Sequence, residues 1–297
     1  MTVARRIRLD AELVRRGLAR SREQAAELVA AGRVEVRGTV ASKVAAMVDT
    51  ADPVVVRGAD PTDEYVSRGG HKLAGALAAF GGGPEALTVQ GRRCLDAGAS
   101  TGGFTDVLLR AGASEVVAVD VGYGQLAWRV RQDPRVRVHE RTNVRTVTAD
   151  QIGGACDLIV ADLSFISLRL VLDALAGCLA PGGDLLPMVK PQFEVGKDRV
   201  GPGGVVRDPA LRADAVLDVA TYAARLGLGV AGVVASPLPG PSGNVEFFLW
   251  LRRGPDVVDA AAIRTVVEAG VPTSPAGSPA DAAVSPPAPP PDVKGRA

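Results

Sequence analysis

Two lysines and two acids stand where a folded chain can bring them together. Lys72 lies in "SRGGHKL" at the start of a helical pattern, Asp162 ends the apolar run in "LIVADLSF", Lys190 ends another in "PMVKPQFE", and Glu246 opens a third in "GNVEFFLW". Amines grouped with carboxylates at the end of a sheet are suited to taking a proton from a hydroxyl. An ordinary lysine, with a pKa of ~10.4, is charged at neutral pH and is no base. Burial and a second cation push an amine toward neutrality, whereas carboxylates oppose that push and fix its position. Each residue also has a blander role: isolated helical lysines are usually solvated, and acids at strand ends often cap the next helix.

A second stretch, "CLDAGASTGGFTDVLL" at 94–109, runs from an apolar strand through small residues into a helix. The strand ends on Asp96, and Gly98, Ala99, Ser100, Gly102 and Gly103 lead to Phe104 at the helix start. Such a junction lets backbone approach a ligand closely and offers helix N-terminal N–H groups. Its spacing is not the Gly-x-Gly-x-x-Gly of dinucleotide sites. It is similar instead to the looser motif of S-adenosylmethionine (SAM) methyltransferases. The next strand, "EVVAVD", ends on Asp120, twenty-four residues after Asp96. An acid there, on the carboxyl edge of a doubly wound sheet, can accept hydrogen bonds from ribose hydroxyls. Asp96 would then face the cationic amino acid end of the cofactor. The alternative is a purely structural strand–helix turn followed by a surface acid.

The elements that must carry these residues are legible as short apolar runs separated by helical stretches. Strands are expected at Arg93–Asp96, Val116–Asp120, Val136–His139, Leu158–Ala161, Leu185–Val189, Val230–Ala235 and Val245–Leu251. Helices between most of them predict an α/β, Rossmann-like sheet with right-handed crossovers. "SPLPGPSGN" leaves almost no room for a helix before the last strand, which should therefore return antiparallel. This domain is expected over 67–254, with a possible helix at 255–269. After Gly270 the Pro/Ala/Ser-rich tail, 270–297, cannot build a core.

Residues 1–60 read differently, as a small α+β domain joined by a linker at 61–66. A first helix carries Leu9, Leu13, Val14 and Leu18. A second opens with the capping box Ser21/Gln24 and stops at Gly32, and "RVEVRGTV" forms strands turning at Gly38. Up to Lys43 basic residues outnumber acidic ones two to one, although the whole chain of 297 residues carries a formal charge of only +1. That polarity suits an anion-binding segment. Three cysteines (Cys94, Cys156 and Cys178) and two histidines offer no metal-ligand spacing, so no metal is expected. No apolar run approaches the ~20 residues of a membrane span, and no signal peptide opens the chain. A soluble cytoplasmic protein, with no membrane association and no obligate protein partner, is the expectation.

The order Lys72, Asp162, Lys190, Glu246 resembles the tetrad of the FtsJ-like (RrmJ-type) ribose 2′-O-methyltransferases. The N-terminal segment resembles the S4 RNA-binding module through its Arg-Leu-Asp opening, the Ser21-Arg22 helix start and Gly32 before "VEV". Their fusion is similar to the TlyA family, whose members carry both rRNA 2′-O-methyltransferase and hemolysin names. "SRGGHKL", "ADLSFISL", "VKPQFEVGK" and "PLPGPSGNVEF" carry the resemblance, which spans Arg5 to Arg253. It implies SAM as cofactor and methylation of cytidine 2′-hydroxyls in 16S and/or 23S ribosomal RNA, with ribosomal subunits as partners. Lys190 would be the proton acceptor, tuned by Lys72, Asp162 and Glu246. Arg5, Arg6, Arg8, Arg20 and Arg22 are candidates for RNA phosphates, with Arg68, Arg141 and Arg145 in loops of the second domain. Several of these arginines could equally just solvate helix faces. Departures are the Pro/Ala tail and Tyr65, where some relatives have tryptophan. Two other functions stay open: a catalytically inactive RNA-binding assembly factor, separated by the effect of Lys190→Ala, and a membrane-active hemolysin, which would need an amphipathic or spanning segment.

Overall fold

The computed structural model describes residues 6–270 apart from 17, 20, 57–64 and 83–84. It divides into two compact units, Met1–Glu64 and Tyr65–Ala297. The first contains β1 (Arg6–Arg8), α1 (Leu9–Arg15), α2 (Arg22–Ala30), β2 (Val34–Val36), β3 (Thr39–Val40), β4 (Met47–Asp49) and β5 (Val54–Val56). Ser21 Oγ accepts the Gln24 N–H at 3.1 Å, and Gly32 at φ +67° closes α2. Arg37 and Gly38, both at positive φ, turn β2 into β3. Leu9, Leu13, Leu28, Val34 and Val48 form the core. Helix α1 ends at Arg15, one turn earlier than its apolar pattern implies, and Leu18 lies beyond it with 37% exposure.

The second unit runs α3 (Arg68–Phe80), β6 (Arg93–Ala97), α4 (Gly103–Arg110), β7 (Glu115–Val119), α5 (Trp128–Arg131), β8 (Val136–His139), β9 (Cys156–Ala161), α6 (Leu172–Gly177), β10 (Leu179–Val189), α7 (Pro191–Glu194), α8 (Pro209–Arg225), β11 (Leu228–Ala235), β12 (Phe247–Arg253) and α9 (Ala260–Ala269). Seven strands form one sheet in the order β11-β12-β10-β9-β6-β7-β8. β12 is antiparallel to both neighbours, as the short connection before it requires. Between β8 and β9 only 3₁₀ turns occur, at Val144–Thr146 and Asp150–Ile152. β10 begins at Leu179, well ahead of Leu185, because the Pro-Gly-Gly segment is carried as an irregularity of the strand against β9.

Alternation along each strand feeds a core on either face. Leu95, Val117, Ile159, Leu185 and Leu249 pack beneath α6, α8 and α9, with Ile263 and Val267 of α9 buried among them. Cys94, Val116, Leu158, Leu186 and Phe248 pack beneath α3 and α4. The latter face matters most for the site, because it fixes α3. Leu73, Ala76 and Phe80 bury one side of that helix. Gly75 brings it against Pro237, where a Cβ would lie 2.6 Å from the proline ring. Gly103 lets α4 approach α3: a Cβ there would be 2.1 Å from Ser67 Oγ and 2.9 Å from the Gly70 nitrogen.

Candidate active site

Register carries three of the four charged residues to one edge of the sheet. Ala97 pairs with Ala161, so Asp162 emerges beside the turn that follows β6. Val189 pairs with Phe247, so Lys190 leaves β10 next to the point where Glu246 enters β12. Pro191, at the first position of α7, ends the strand and starts the helix. Lys72 reaches the same edge from the first turns of α3.

The four side chains form two ion pairs. Lys72 Nζ donates to Glu246 Oε2 at 2.5 Å, and Lys190 Nζ lies 2.6 Å from Asp162 Oδ1. The contact with Asp162 lacks hydrogen-bond geometry and leaves Oδ1 without a hydrogen-bond partner, and Lys190 instead donates to Ser164 Oγ at 3.0 Å. Three of the four are nearly enclosed, and only Asp162, with its side chain 24% exposed, opens to solvent. Removing one member of such a pair strands a charge, which costs about 3–5 kcal/mol when burial is complete. The backbone is fitted to these groups. A Cβ on Gly98 would lie 2.5 Å from the Asp162 carbonyl oxygen, and one on Gly240 would lie 2.6 Å from Glu246 Oε1. Asn244 is buried two residues before Glu246. Its Oδ1 accepts the Val206 N–H at 2.9 Å and its Nδ2 donates to the Gly204 carbonyl at 2.8 Å.

The glycine turn lies alongside. Gly98 and Gly102 have φ of +89° and +92°, and Ser100 between them has +47°. Asp96 is fully buried; its Oδ2 accepts the Thr105 hydroxyl at 2.6 Å, whereas Oδ1 has no hydrogen-bond partner. Burial raises its carboxyl to about 7, opposed by the Thr105 hydroxyl and helped by the charges of Asp162 and Asp120. Asp120 Oδ2 accepts the Ser100 N–H at 2.8 Å and Oδ1 the Gly122 N–H at 2.6 Å. A cleft opens here, lined by Ala99, Ser100, Asp120, Gln125, Leu126 and Glu140. An orphaned buried carboxylate oxygen beside a small-residue turn, with a mixed apolar and acidic cleft next to it, fits a ligand with a cationic end and a nucleoside.

Some expected residues act otherwise. The ring of Phe104 packs into the core, 5.9 Å from Phe248, so its side chain is no part of the cradle. Gly103 serves the approach of α4 to α3 described above. Arg68 is the exposed first residue of α3, where a loop was expected. Arg141 (φ +54°) stacks over Tyr123 at 4.4 Å, and Arg145 is exposed on a 3₁₀ turn. Arg6 and Arg22 are exposed, whereas Arg8 forms a bidentate pair with Asp10 at 3.0 and 2.7 Å. Arg5 and Arg20 lie outside the described residues. Sequence patterns missed Ser164, Gln125, Leu126 and Glu140. Glu140 carried a usable signal, since it follows β8 just as Asp120 follows β7. Phe165 was missed too: it has φ +65°, is 91% exposed and lies 5.2 Å from the ring of Phe193.

The FtsJ-like methyltransferase family model matches residues 65–253 and the S4 domain model residues 7–54. The chain is 64% identical over 255 residues to the 16S/23S rRNA (cytidine-2′-O)-methyltransferase TlyA of Mycobacterium tuberculosis, covering 86% of this chain and 92% of that protein. It is 44% identical over 269 residues to the rRNA methyltransferase-named YqxC of Bacillus subtilis, covering 88% and 93%. A solved structure from Streptococcus thermophilus that carries a hemolysin designation superposes with a TM-score of 0.70 at 40% identity, covering 88% of this chain and 94% of that one.

Proposed function

Since the chain belongs to the FtsJ-like methyltransferase family and joins that domain to an S4 domain, we propose that it methylates the 2′-hydroxyl of cytidine in ribosomal RNA, 16S and/or 23S, using SAM. The observation that carries this proposal is the pairing of two amines with two carboxylates on the carboxyl edge, beside the glycine turn. When bound, SAM supplies an electrophilic methyl group. The residues of this chain then have to hold the acceptor and manage one proton.

Lys190, once its ammonium has given a proton to solvent at the open Asp162 side, takes the proton of the 2′-hydroxyl on Nζ as an amine, and Asp162 at 2.6 Å holds the ammonium that results. Ser164 Oγ at 3.0 Å fixes the direction of the amine. Lys72, neutralised by Glu246, supports the same edge without adding an unpaired charge. Asp96 is assigned to the cationic end of SAM, Asp120 to its ribose and the Gln125–Leu126–Glu140 cleft to the remainder of the nucleoside, with Gly98, Ala99, Ser100 and Gly102 forming the turn around it. Two hydrogen bonds from backbone N–H groups already pin Asp120, which pre-orients its carboxylate. Exposed Phe165 against Phe193 offers a flat apolar face for an unpaired base. Arg6 and Arg22 of the S4 unit and Arg68, Arg141 and Arg145 of the catalytic unit are assigned to phosphates, with residual contributions from Arg8. Among the described residues no helix is long and apolar enough to cross a membrane.

Purified protein incubated with SAM and ribosomal subunits should yield 2′-O-methylcytidine after nuclease digestion and mass spectrometry. Methyl groups found on bases, or none above the no-enzyme control, would overturn the proposal.

A further inference from the structure

Glu194 lies four residues after Lys190, and neither ion pair uses it. It is buried at the end of α7, with 4% exposure. Its Oε2 accepts the Ser167 hydroxyl at 2.5 Å and its Oε1 accepts the Leu168 N–H at 2.7 Å. The Arg169 guanidinium stands 3.6 Å away. All three partners belong to the segment that follows Asp162 and Ser164. At the other end of α7, Lys190 reaches back to those two residues.

The same two stretches of chain therefore meet twice, at Lys190 with Asp162 and Ser164 and at Glu194 with Ser167 and Leu168. Between these ties sits Phe165 at φ +65°, a conformation that side-chain-bearing residues keep only when their surroundings enforce it. α7 is itself anchored, because Val195 just after it packs with Val206 and with Ala215 of α8. A carboxylate taken out of water is unfavourable unless its oxygens are satisfied, and burial raises the carboxyl of Glu194 above its ordinary value. A simple loop staple has no need of so buried an acid.

We propose that Glu194 is a positioning residue: it fixes the 162–168 segment against α7, so that Asp162 stays paired with Lys190 and Ser164 stays hydrogen-bonded to its Nζ. This rests on the assignment of Lys190 as proton acceptor. Glu194→Ala removes both acceptors. Glu194→Gln keeps the shape and one oxygen, enough for the Leu168 N–H.

Single-turnover methyl transfer and SAM affinity should be measured on full-length Glu194→Ala, Glu194→Gln and Lys190→Ala. The rate in Glu194→Ala should fall by roughly up to a hundredfold, the scale of an ångström-sized misplacement. Glu194→Gln should recover part of that loss, and SAM affinity should stay within about twofold throughout, since the carboxylate of Glu194 is engaged with Ser167, Leu168 and Arg169 and not with the glycine turn's hydrogen bonds. A wild-type rate in folded Glu194→Ala, or a rate loss matched by a loss of SAM affinity, overturns the positioning role. Should Glu194→Ala not fold, Ser167→Ala removes one donor with the carboxylate intact and must lower the rate in the same selective way. If Lys190→Ala is inactive while the Glu194 variants are fast, the positioning role alone fails. If Lys190→Ala is itself fast, the proton-acceptor assignment fails and takes the positioning role with it.

Discussion

Replacing Asp96 by asparagine should flatten the pH dependence of stability in the methyltransferase unit. Burial lifts the Asp96 carboxyl from its ordinary 3.8 to about 7. Unfolding returns it to the ordinary value, so between about pH 4 and pH 7 the folded chain holds a proton that the unfolded chain has lost. The stability linked to Asp96 is thus greatest below about pH 4, declines as pH rises to about 7, and is level beyond. Three pH units at 1.36 kcal/mol each limit that decline to about 4 kcal/mol. Asparagine retains an acceptor for the Thr105 hydroxyl and does not titrate. Both tryptophans, Trp128 and Trp250, lie in this unit, so their fluorescence follows its denaturation alone. Between about pH 5 and about pH 8, which takes in about two of those three units, the wild type should lose about 2–3 kcal/mol more than Asp96→Asn. Glu194, also raised by burial, is common to both proteins and cancels in the comparison. A cation bound at Asp96 favours its ionised form, so SAM affinity should rise between about pH 6 and pH 8, with release of up to one proton. Calorimetry in buffers of different ionisation enthalpy reads that proton directly. Identical pH slopes for wild type and Asp96→Asn would refute the assignment of this buried carboxylate.

Gly98→Ala puts a Cβ 2.5 Å from the Asp162 carbonyl at a φ of +89°. It should destabilise the unit by roughly 1–3 kcal/mol and slow methyl transfer; unchanged melting and an unchanged rate would mean that the turn does not position Asp162. Reversing charge at exposed Arg6 and Arg22 should weaken binding to ribosomal subunits and reduce the salt slope by about 1 for each phosphate no longer neutralised. An unaltered slope in a binding titration would remove both from the interface.

Much of the fold was legible because apolar alternation marks sheet faces independently of tertiary detail. Val116 and Val117 enter opposite cores, and Lys190 and Asp162 sit at strand ends where the change from apolar to charged is abrupt. The partnering was not legible. Which amine meets which acid depends on the order β9-β10-β12 and on the approach of α3, so Lys72 finds Glu246 across 174 residues while Lys190 takes Asp162. Glycines were also ambiguous. Gly98 and Gly102 have the positive φ of a ligand-side turn, but Gly103 is set by its close approach to Ser67 and Gly70, and the same run of small residues fits both uses. Phe104 read as part of the cradle because it follows those glycines, yet its ring fills the core. The left-handed backbone of Phe165 has no local sequence cause; its neighbours Ser164 and Ser167 are held by Lys190 and Glu194, which come 26 and 27 residues later.

The most direct test is single-turnover methyl transfer to ribosomal RNA by Lys190→Ala, with SAM affinity measured on the same preparation. Loss of a general base removes about 10²–10⁴ in rate. A folded Lys190→Ala protein that binds SAM as the wild type does and transfers at least a hundredfold more slowly is the expected result. Transfer at the wild-type rate would show that the proton of the 2′-hydroxyl leaves by another route.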